Sequence, residues 1–278
     1  MKNEVGQYYD NTLNHYQRWW KLNDNLSLHY GITEPGITGF GESLLNTNRV
    51  LMQTAGIGEG EDVLDAGCGV GGAAFYLYNA KKAKVRGITL SQRQCDYANK
   101  LVEHHRLGDF LSFHVMDYTQ TSFSDESFDV VWACESVSSA PDKRAFAAEA
   151  FRLLKKGGRL VMSDFFLTSE NQPDPQQLIK KWVDSWWMAD LVTADYFGKA
   201  LSEVGFKKVT NTDYTDSIRK SASRMYLAVV LGTIPSWLYN ITHPKVSKFA
   251  KNHYKSGYYQ YSALKKNLWK YHIFLAFK

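Results

Sequence analysis

Asp62-Val63-Leu64-Asp65-Ala66-Gly67-Cys68-Gly69-Val70-Gly71-Gly72 is the stretch whose reading decides the fold. It is a short apolar run ending in a carboxylate, then a glycine-rich turn, then the helix-forming tract Ala73-Ala74-Phe75-Tyr76-Leu77. Glycines at 67, 69 and 72 satisfy G-x-G-x-x-G between a strand and a helix, the setting in which that pattern builds a ligand-binding turn. Asp65, two residues before the first glycine, sharpens the reading. A turn that takes a pyrophosphate onto a helix N-terminus gains from having no fixed negative charge there. A carboxylate suits a ligand with a cationic or hydroxyl-rich group instead.

Downstream of this turn the chain alternates strand and helix, the rhythm of a parallel sheet. Strands are expected over residues 63–66, 84–90, 111–116, 128–133, 159–163, 207–212 and 270–277. Between them lie helices from Ser91, a plausible N-cap, to residue 105, over 142–154, and over 193–204 up to Gly205. Lys155-Lys156-Gly157-Gly158 reads as a helix stop and turn. Residues 213–268 are far too long for a hairpin and form an embellishment before the last strand. Upstream, Tyr8, Tyr9, Leu13, Tyr16, Trp19, Trp20 and Leu26 make a helical stripe over residues 7–30, and a second helical pattern runs from 40 to 55. Both are expected to close over the carboxyl end of the sheet, where open α/β folds bind ligands.

Composition bounds the rest. The 278 residues, 44% hydrophobic and 22% charged, suit one large α/β domain with additions in a globular protein. Aromatic residues reach 14%, a share that points to large apolar pockets or a bulky core. The net charge of +5 is uneven, because no Asp or Glu follows Asp216 while Lys and Arg continue to the end. Three cysteines without C-x-x-C spacing imply neither a disulfide framework nor a zinc site. With no apolar leader, spanning segment or lipidation signal in the sequence, a cytoplasmic location is expected. In residues 244–256 lysines fall on one helical face and Val246, Phe249, Ala250 and His253 on another, which fits peripheral contact with anionic lipid.

The run V-L-D-x-G-C-G-x-G-G resembles the first motif of class I S-adenosylmethionine (SAM)-dependent methyltransferases. The resemblance is strongest over residues 60–165 and implies a Rossmann-like, seven-stranded, mostly parallel sheet. It divides the chain into an N-terminal helical lid (1–58), a SAM-binding core (59–212), a helical substrate cap (213–268) and the last strand of the core sheet (269–278). Asp65 then anchors the cofactor turn, and Gly67, Gly69 and Gly71 let the backbone approach the methionine part of SAM. The second strand ends Gly87-Ile88-Thr89-Leu90-Ser91 with no acid for ribose hydroxyls, which argues against a dinucleotide dehydrogenase. G-I-T-L-S looks like the variant in the branch that methylates tocopherols and related small molecules, where Thr89 and Gln94 neighbour the adenosine. Asp117 and Tyr118, ending the third strand, match the acid and aromatic that this class sets against adenine.

Glu135-Ser136-Val137-Ser138-Ser139-Ala140-Pro141-Asp142-Lys143 resembles the glutamate-bearing exit loop of sterol side-chain and tocopherol methyltransferases. Those loops usually carry a histidine, where this chain has Ser138 and Ser139. Glu135 is the candidate base, and a desolvating pocket would raise its pKa for that role. His29-Tyr30-Gly31 resembles a tract found before the cofactor domain in this branch, which makes His29 and Tyr30 further catalytic candidates expected to meet the reacting atom from the lid side. Trp182, Trp186, Trp187 and Tyr196 form a candidate pocket wall whose faces would stabilise a cationic intermediate. The Asn/Asp-Pro-Pro-aromatic signature of base-methylating enzymes is missing at the fourth strand, so no nucleic-acid partner is expected, and no metal-ligand cluster is visible. The expected activity is methylation of a lipophilic small molecule, chiefly at carbon of an isoprenoid, sterol or similar lipid. The alternatives are an O- or N-methyltransferase of a natural-product-type molecule, a dinucleotide-dependent oxidoreductase, and a non-catalytic SAM- or lipid-binding protein. The sequence leaves the oligomeric state open.

Overall fold

The structure is a computed structural model that describes Gly6 and residues 25–186, 188–242 and 255–278, with side chains described except over 234–242. The aromatic stripe up to residue 24, Trp187 and the basic stretch 243–254 lie outside these residues.

Seven strands form a single sheet: β1 (Asp62–Ala66), β2 (Lys84–Thr89), β3 (Leu111–Val115), β4 (Phe128–Cys134), β5 (Leu154–Leu167), β6 (Lys207–Asp213) and β7 (Trp269–Phe277). Their order is β3-β2-β1-β4-β5-β7-β6, with β1 to β5 parallel and β7 antiparallel to both its neighbours. The sheet therefore reverses direction of build at β1 and β4, which sit side by side with Asp65 paired to Trp132. Ligands in open α/β sheets bind at such a switch point, beyond the carboxyl ends of the strands.

Helices α1 (Phe40–Ala55), α2 (Gly72–Lys81), α3 (Gln92–His105), α4 (Lys143–Leu153), α5 (Leu178–Trp186), α6 (Ala194–Val204), α7 (Thr215–Thr242) and α8 (Ser256–Lys265) complete the described elements. Strand residues alternate between two cores, because successive side chains point to opposite faces. Val63, Val85, Val130 and Val161 face one core with Val50, Leu51, Ala98 and Trp182. Leu64, Val131 and Leu160 face the other with Phe146 of α4 and Phe197 of α6. Ser91 caps α3 by accepting the Gln94 N–H, Asp142 caps α4 through the N–H groups of Arg144 and Ala145, and Thr193 caps α6 through that of Tyr196.

Three expectations change. The turn expected at 155–158 lies inside β5, which pairs Leu154 with Phe128 directly after α4. Gly157 (φ +77°) and a register shift between Phe128 and Val130 absorb the irregularity as a bulge. Helix α1 packs through Val50, Leu51 and Ala55 on a face of the sheet rather than over its end. What crosses the carboxyl edge is an irregular segment, residues 26–33, where the helical stripe is expected to continue.

Candidate functional site

The crossing segment reaches both halves of the site. At the glycine turn, Leu26 and Leu28 pack around Val70, and Leu28 Cδ1 lies 3.3 Å from where a Cβ on Gly69 would stand. A few residues on, each backbone N–H finds a distant partner. Tyr30 N donates to Glu135 Oε1 (2.7 Å), Gly31 N to Ser221 Oγ (3.1 Å), Ile32 N to Thr47 Oγ1 (2.8 Å) and Thr33 N to the Ser217 carbonyl (2.9 Å). An irregular segment without ladder bonds of its own must satisfy its backbone in this way when buried.

At the end of β1, the turn carries Gly67, Gly69 and Gly71 at φ +94°, +53° and +91°, conformations that only glycine adopts cheaply. A Cβ on Gly67 would strike the Ser136 side chain, and one on Gly71 would stand 2.6 Å from the Phe113 ring. Close packing of the protein on itself thus accounts for these glycines, in addition to any approach to a ligand. Ser136 Oγ donates to the Ala66 carbonyl (2.6 Å) and joins the exit of β4 to that of β1.

Asp65 beside this turn is only 2% exposed, and its Oδ2 has no hydrogen-bond partner among the described residues. Burial without a counter-charge pushes its carboxyl up to about 7. A buried acceptor left unpaired costs the fold free energy. It fits a group with donors or a positive charge, which is what the amino and ribose parts of SAM offer.

The adenosine-side candidates are all close by but already engaged. Thr89 Oγ1 donates to Gln94 Oε1 (2.8 Å) and accepts the Ser91 N–H (3.2 Å). Asp117 Oδ1 accepts the Thr119 N–H (2.8 Å) and hydroxyl (2.7 Å), which closes a turn after β3. Tyr118 donates to the Ser136 carbonyl (2.8 Å) and sets its half-buried ring edge-on to Phe146, against the core.

The second half centres on Glu135. Its backbone is left-handed (φ +50°), an uncommon state for a non-glycine residue and typical of functional positions. The Glu135 N–H continues the ladder to the Ser163 carbonyl (2.8 Å), and Oε1 accepts from both Tyr30 N and the Tyr271 hydroxyl (2.8 Å). Oε2 accepts no hydrogen bond among the described residues. Burial is the main cause that raises the Glu135 carboxyl to about 8, against the two donors that favour its charged form. His29 is 9% exposed, with Nδ1 2.9 Å from the Tyr30 carbonyl. That contact assigns the proton to Nδ1 and leaves Nε2 as a bare acceptor, unpartnered among the described residues. Burial lowers the His29 pKa, so the ring is neutral.

Tyr271, Ser163, Asp164 and Lys143 are site residues that the sequence reading missed. Asp164 Oδ2 accepts the Ser138 N–H (2.8 Å), while Lys143 Nζ donates to the Ser138 (3.0 Å) and Ala140 (2.6 Å) carbonyls. Together they hold the turn that follows Glu135 from both sides. An acid inside the apolar run of β5 was the available signal for Asp164; Tyr271 is one aromatic among several in β7 and carried none.

The aromatic wall is regrouped. Trp182, Tyr30, Phe165, Trp269 and Tyr271 pack edge to face or tilted with centroids 5.0 to 6.4 Å apart, and Trp186 joins at the margin. Fully buried, they are core beneath Glu135 rather than an open wall. Tyr196 is exposed on α6, a helix of the opposite core, and does not take part. The indole N–H groups of Trp182 and Trp186 have no acceptor among the described residues.

Comparison with known proteins agrees with this geometry. A family model described as a methyltransferase domain matches residues 64–162, from β1 into β5. The 2-methyl-6-phytyl-1,4-hydroquinone methyltransferase of Synechocystis sp. is 30% identical over 251 residues, 82% of this chain and 71% of its own length. A probable chloroplastic tocopherol O-methyltransferase of Oryza sativa is 32% identical over 164 residues, 57% of this chain; the match spans about half, 45%, of that relative's length. Among solved structures, the geranyl diphosphate C-methyltransferase of Streptomyces coelicolor superposes with a TM-score of 0.78 at 17% identity, covering 99% of this chain and 97% of its own, which is a likeness of fold. From the turn at Asp65, the switch point at β1 and β4 and these matches, the chain belongs to the class I SAM-dependent methyltransferases.

Proposed function

We propose that the protein methylates a carbon atom of a lipophilic, isoprenoid-type small molecule with an oxygenated head, and that Glu135 takes the proton which the acceptor loses. The observation that carries this reading is the state of Glu135. Two donors pin Oε1, Oε2 stays available, and burial places the carboxyl near 8, where it is a competent base close to neutral pH. Asp65, the glycine turn, Thr89, Gln94, Asp117 and Tyr118 are the residues that would hold SAM. When bound, SAM supplies a methyl group on a sulfonium, and its transfer leaves the positive charge on the acceptor.

Everything else falls to the chain's own side chains. A cation formed beside Glu135 favours the carboxylate over the acid, so the base is ionised when it is needed. Loss of a proton from the carbon next to the cationic centre, to Oε2, restores a neutral alkene or aromatic ring. The segment 26–33 and the aromatic core beneath Glu135 keep water from that centre. The unpaired indole N–H of Trp186, at the margin of the aromatic core, fits a carbonyl or hydroxyl oxygen on the acceptor, and the bare Nε2 of His29 fits a hydroxyl. The names of the Synechocystis and Streptomyces relatives, a phytyl hydroquinone and a geranyl diphosphate enzyme, support the isoprenoid class.

Methylation at oxygen is the second reading, and His29 favours it. A neutral imidazole with a free Nε2 can take a hydroxyl proton. Incubation with methyl-labelled SAM and a panel of prenylated hydroquinones and sterol-type alkenes separates the two, since NMR of the product shows a C–CH3 or an O–CH3 group. In the carbon reading, Glu135→Gln lowers turnover by about 10²- to 10⁴-fold while the melting shift produced by S-adenosylhomocysteine is kept. Turnover within a few-fold of the parent would remove Glu135 from the role of base.

A further inference from the structure

We infer that the outward face of α7 docks on an anionic lipid bilayer. Helix α7 has two faces of different character. Inward, Ile218, Ser221, Ala222 and Met225 recur at helical spacing and are buried. Ser221 Oγ accepts the Gly31 N–H, the Ser217 carbonyl accepts that of Thr33, and Met225 Sδ meets the Tyr30 hydroxyl (4.0 Å). This helix therefore backs directly onto the segment that carries His29 and Tyr30 to Glu135.

Outward, the face read by Lys220, Arg224, Leu227 and Leu231 is exposed along about 16 Å at 1.5 Å per residue. It passes from cations to apolar side chains. Leu227 is 55% exposed, Val230 49% and Leu231 70%, and Tyr258 at 48% continues the patch onto α8, where its ring lies 6.2 Å from Tyr226. Of the seven large apolar side chains that the described residues expose, these four share one ridge. Scattered exposed leucines need no explanation; a contiguous ridge marks an interaction surface.

Charge selects the occupant. After Asp216 the chain has eleven Lys and Arg and no Asp or Glu, so the ridge is set in a segment of one sign. Apolar side chains that enter the acyl boundary, flanked by cations facing acidic headgroups, are the two elements of interfacial binding. A second protein copy would bring the same cations against themselves at a two-fold contact, which disfavours that occupant. Docked on this face, the site lies one helix thickness from the bilayer, the reservoir of a lipophilic acceptor. Whether that acceptor is methylated at carbon or oxygen does not enter the inference.

Co-sedimentation of the full chain with vesicles tests it without turnover. With phosphatidylcholine alone the protein is expected to stay in the supernatant. With a phosphatidylcholine–phosphatidylglycerol mixture it pellets at low salt and is released at high salt. The double variant L227E/L231E binds mixed vesicles about tenfold or more weakly. Both side chains are exposed, so its melting shift with S-adenosylhomocysteine stays at the parent value and certifies the fold. Equal vesicle binding by parent and variant, or no binding by the parent, overturns the inference. So does a parent dimer in sedimentation velocity that the variant dissolves without any vesicle binding, since the face then belongs to a second copy.

Discussion

Glu135, the proposed base, owes the state of its carboxyl to a balance between burial and two donors, and Tyr271 supplies one of them at 2.8 Å. Removing that hydroxyl withdraws a hydrogen bond that favours the carboxylate, so Tyr271→Phe moves the Glu135 pKa further up. Activity that needs the ionised base rises with pH through this pKa. The acid limb of the kcat profile of Tyr271→Phe is therefore expected at higher pH than in the parent, with the plateau approached only above it. A role confined to packing in the aromatic core would lower Tm and leave the limb where it was. Asp65 differs from Glu135 in that no donor among the described residues pins its carboxylate, where two pin Glu135 Oε1, and this suits it to hold a ligand rather than to move a proton.

At the scale of elements, the crossing segment is the weak joint. Thr47 of α1 accepts the Ile32 N–H and donates to the Tyr30 carbonyl (2.9 Å), both in a buried setting. Thr47→Val keeps the volume, leaves the Ile32 N–H unpaired and takes from the Tyr30 carbonyl one of its two donors, His29 Nδ1 being the other, at a cost of about 1–3 kcal/mol. Urea unfolding should show that loss, and hydrogen exchange should show faster opening at Ile32 than in the sheet. Because Tyr30 N is bound to Glu135, the same change loosens the proposed base, and turnover is expected to fall by more than the stability loss explains.

For the whole molecule, the site leaves a mark on stability against pH. Asp65, Glu135 and Asp164 are buried acids, all raised, with Asp65 at about 7 and Glu135 at about 8. Folded acids of this kind bind more protons than the unfolded chain, so they stabilise fully below their unfolded pKa and lose that contribution as pH rises through the folded value. His29 and His272 are lowered and act in the opposite sense, but only below the unfolded histidine value of about 6.5. Lys143, lowered to about 8, enters only above that pH. Between pH 6.5 and 8 the acids are left unopposed, and Tm of the ligand-free protein is expected to fall across this window. Glu135→Gln should flatten the fall, at about 2–4 °C for each kcal/mol recovered. Scanning calorimetry of both proteins over that range decides it.

How much of this was readable beforehand follows from the range of each interaction. The strand-turn-helix around Asp65, the alternation of β-strands and helices and the cap at Ser91 are set by local periodicity and turn chemistry, and the amino-acid sequence by itself determined them, while the exit loop at Glu135 was legible through its resemblance to a known family. The expected turn at 155–158 failed because strand pairing with Phe128 overrode a local Gly-Gly signal. Other features rest on partners far apart in the chain: Tyr30 and Glu135 are 105 residues apart, Tyr271 and Glu135 136. Only the tertiary structure decided those. The order β4-β5-β7 carries Tyr271 across to the exit of β4, and the inward face of α7 holds the segment that carries Tyr30. No periodicity along the chain encodes such meetings, because they depend on which strands become neighbours and on where an irregular segment finds donors and acceptors for its backbone.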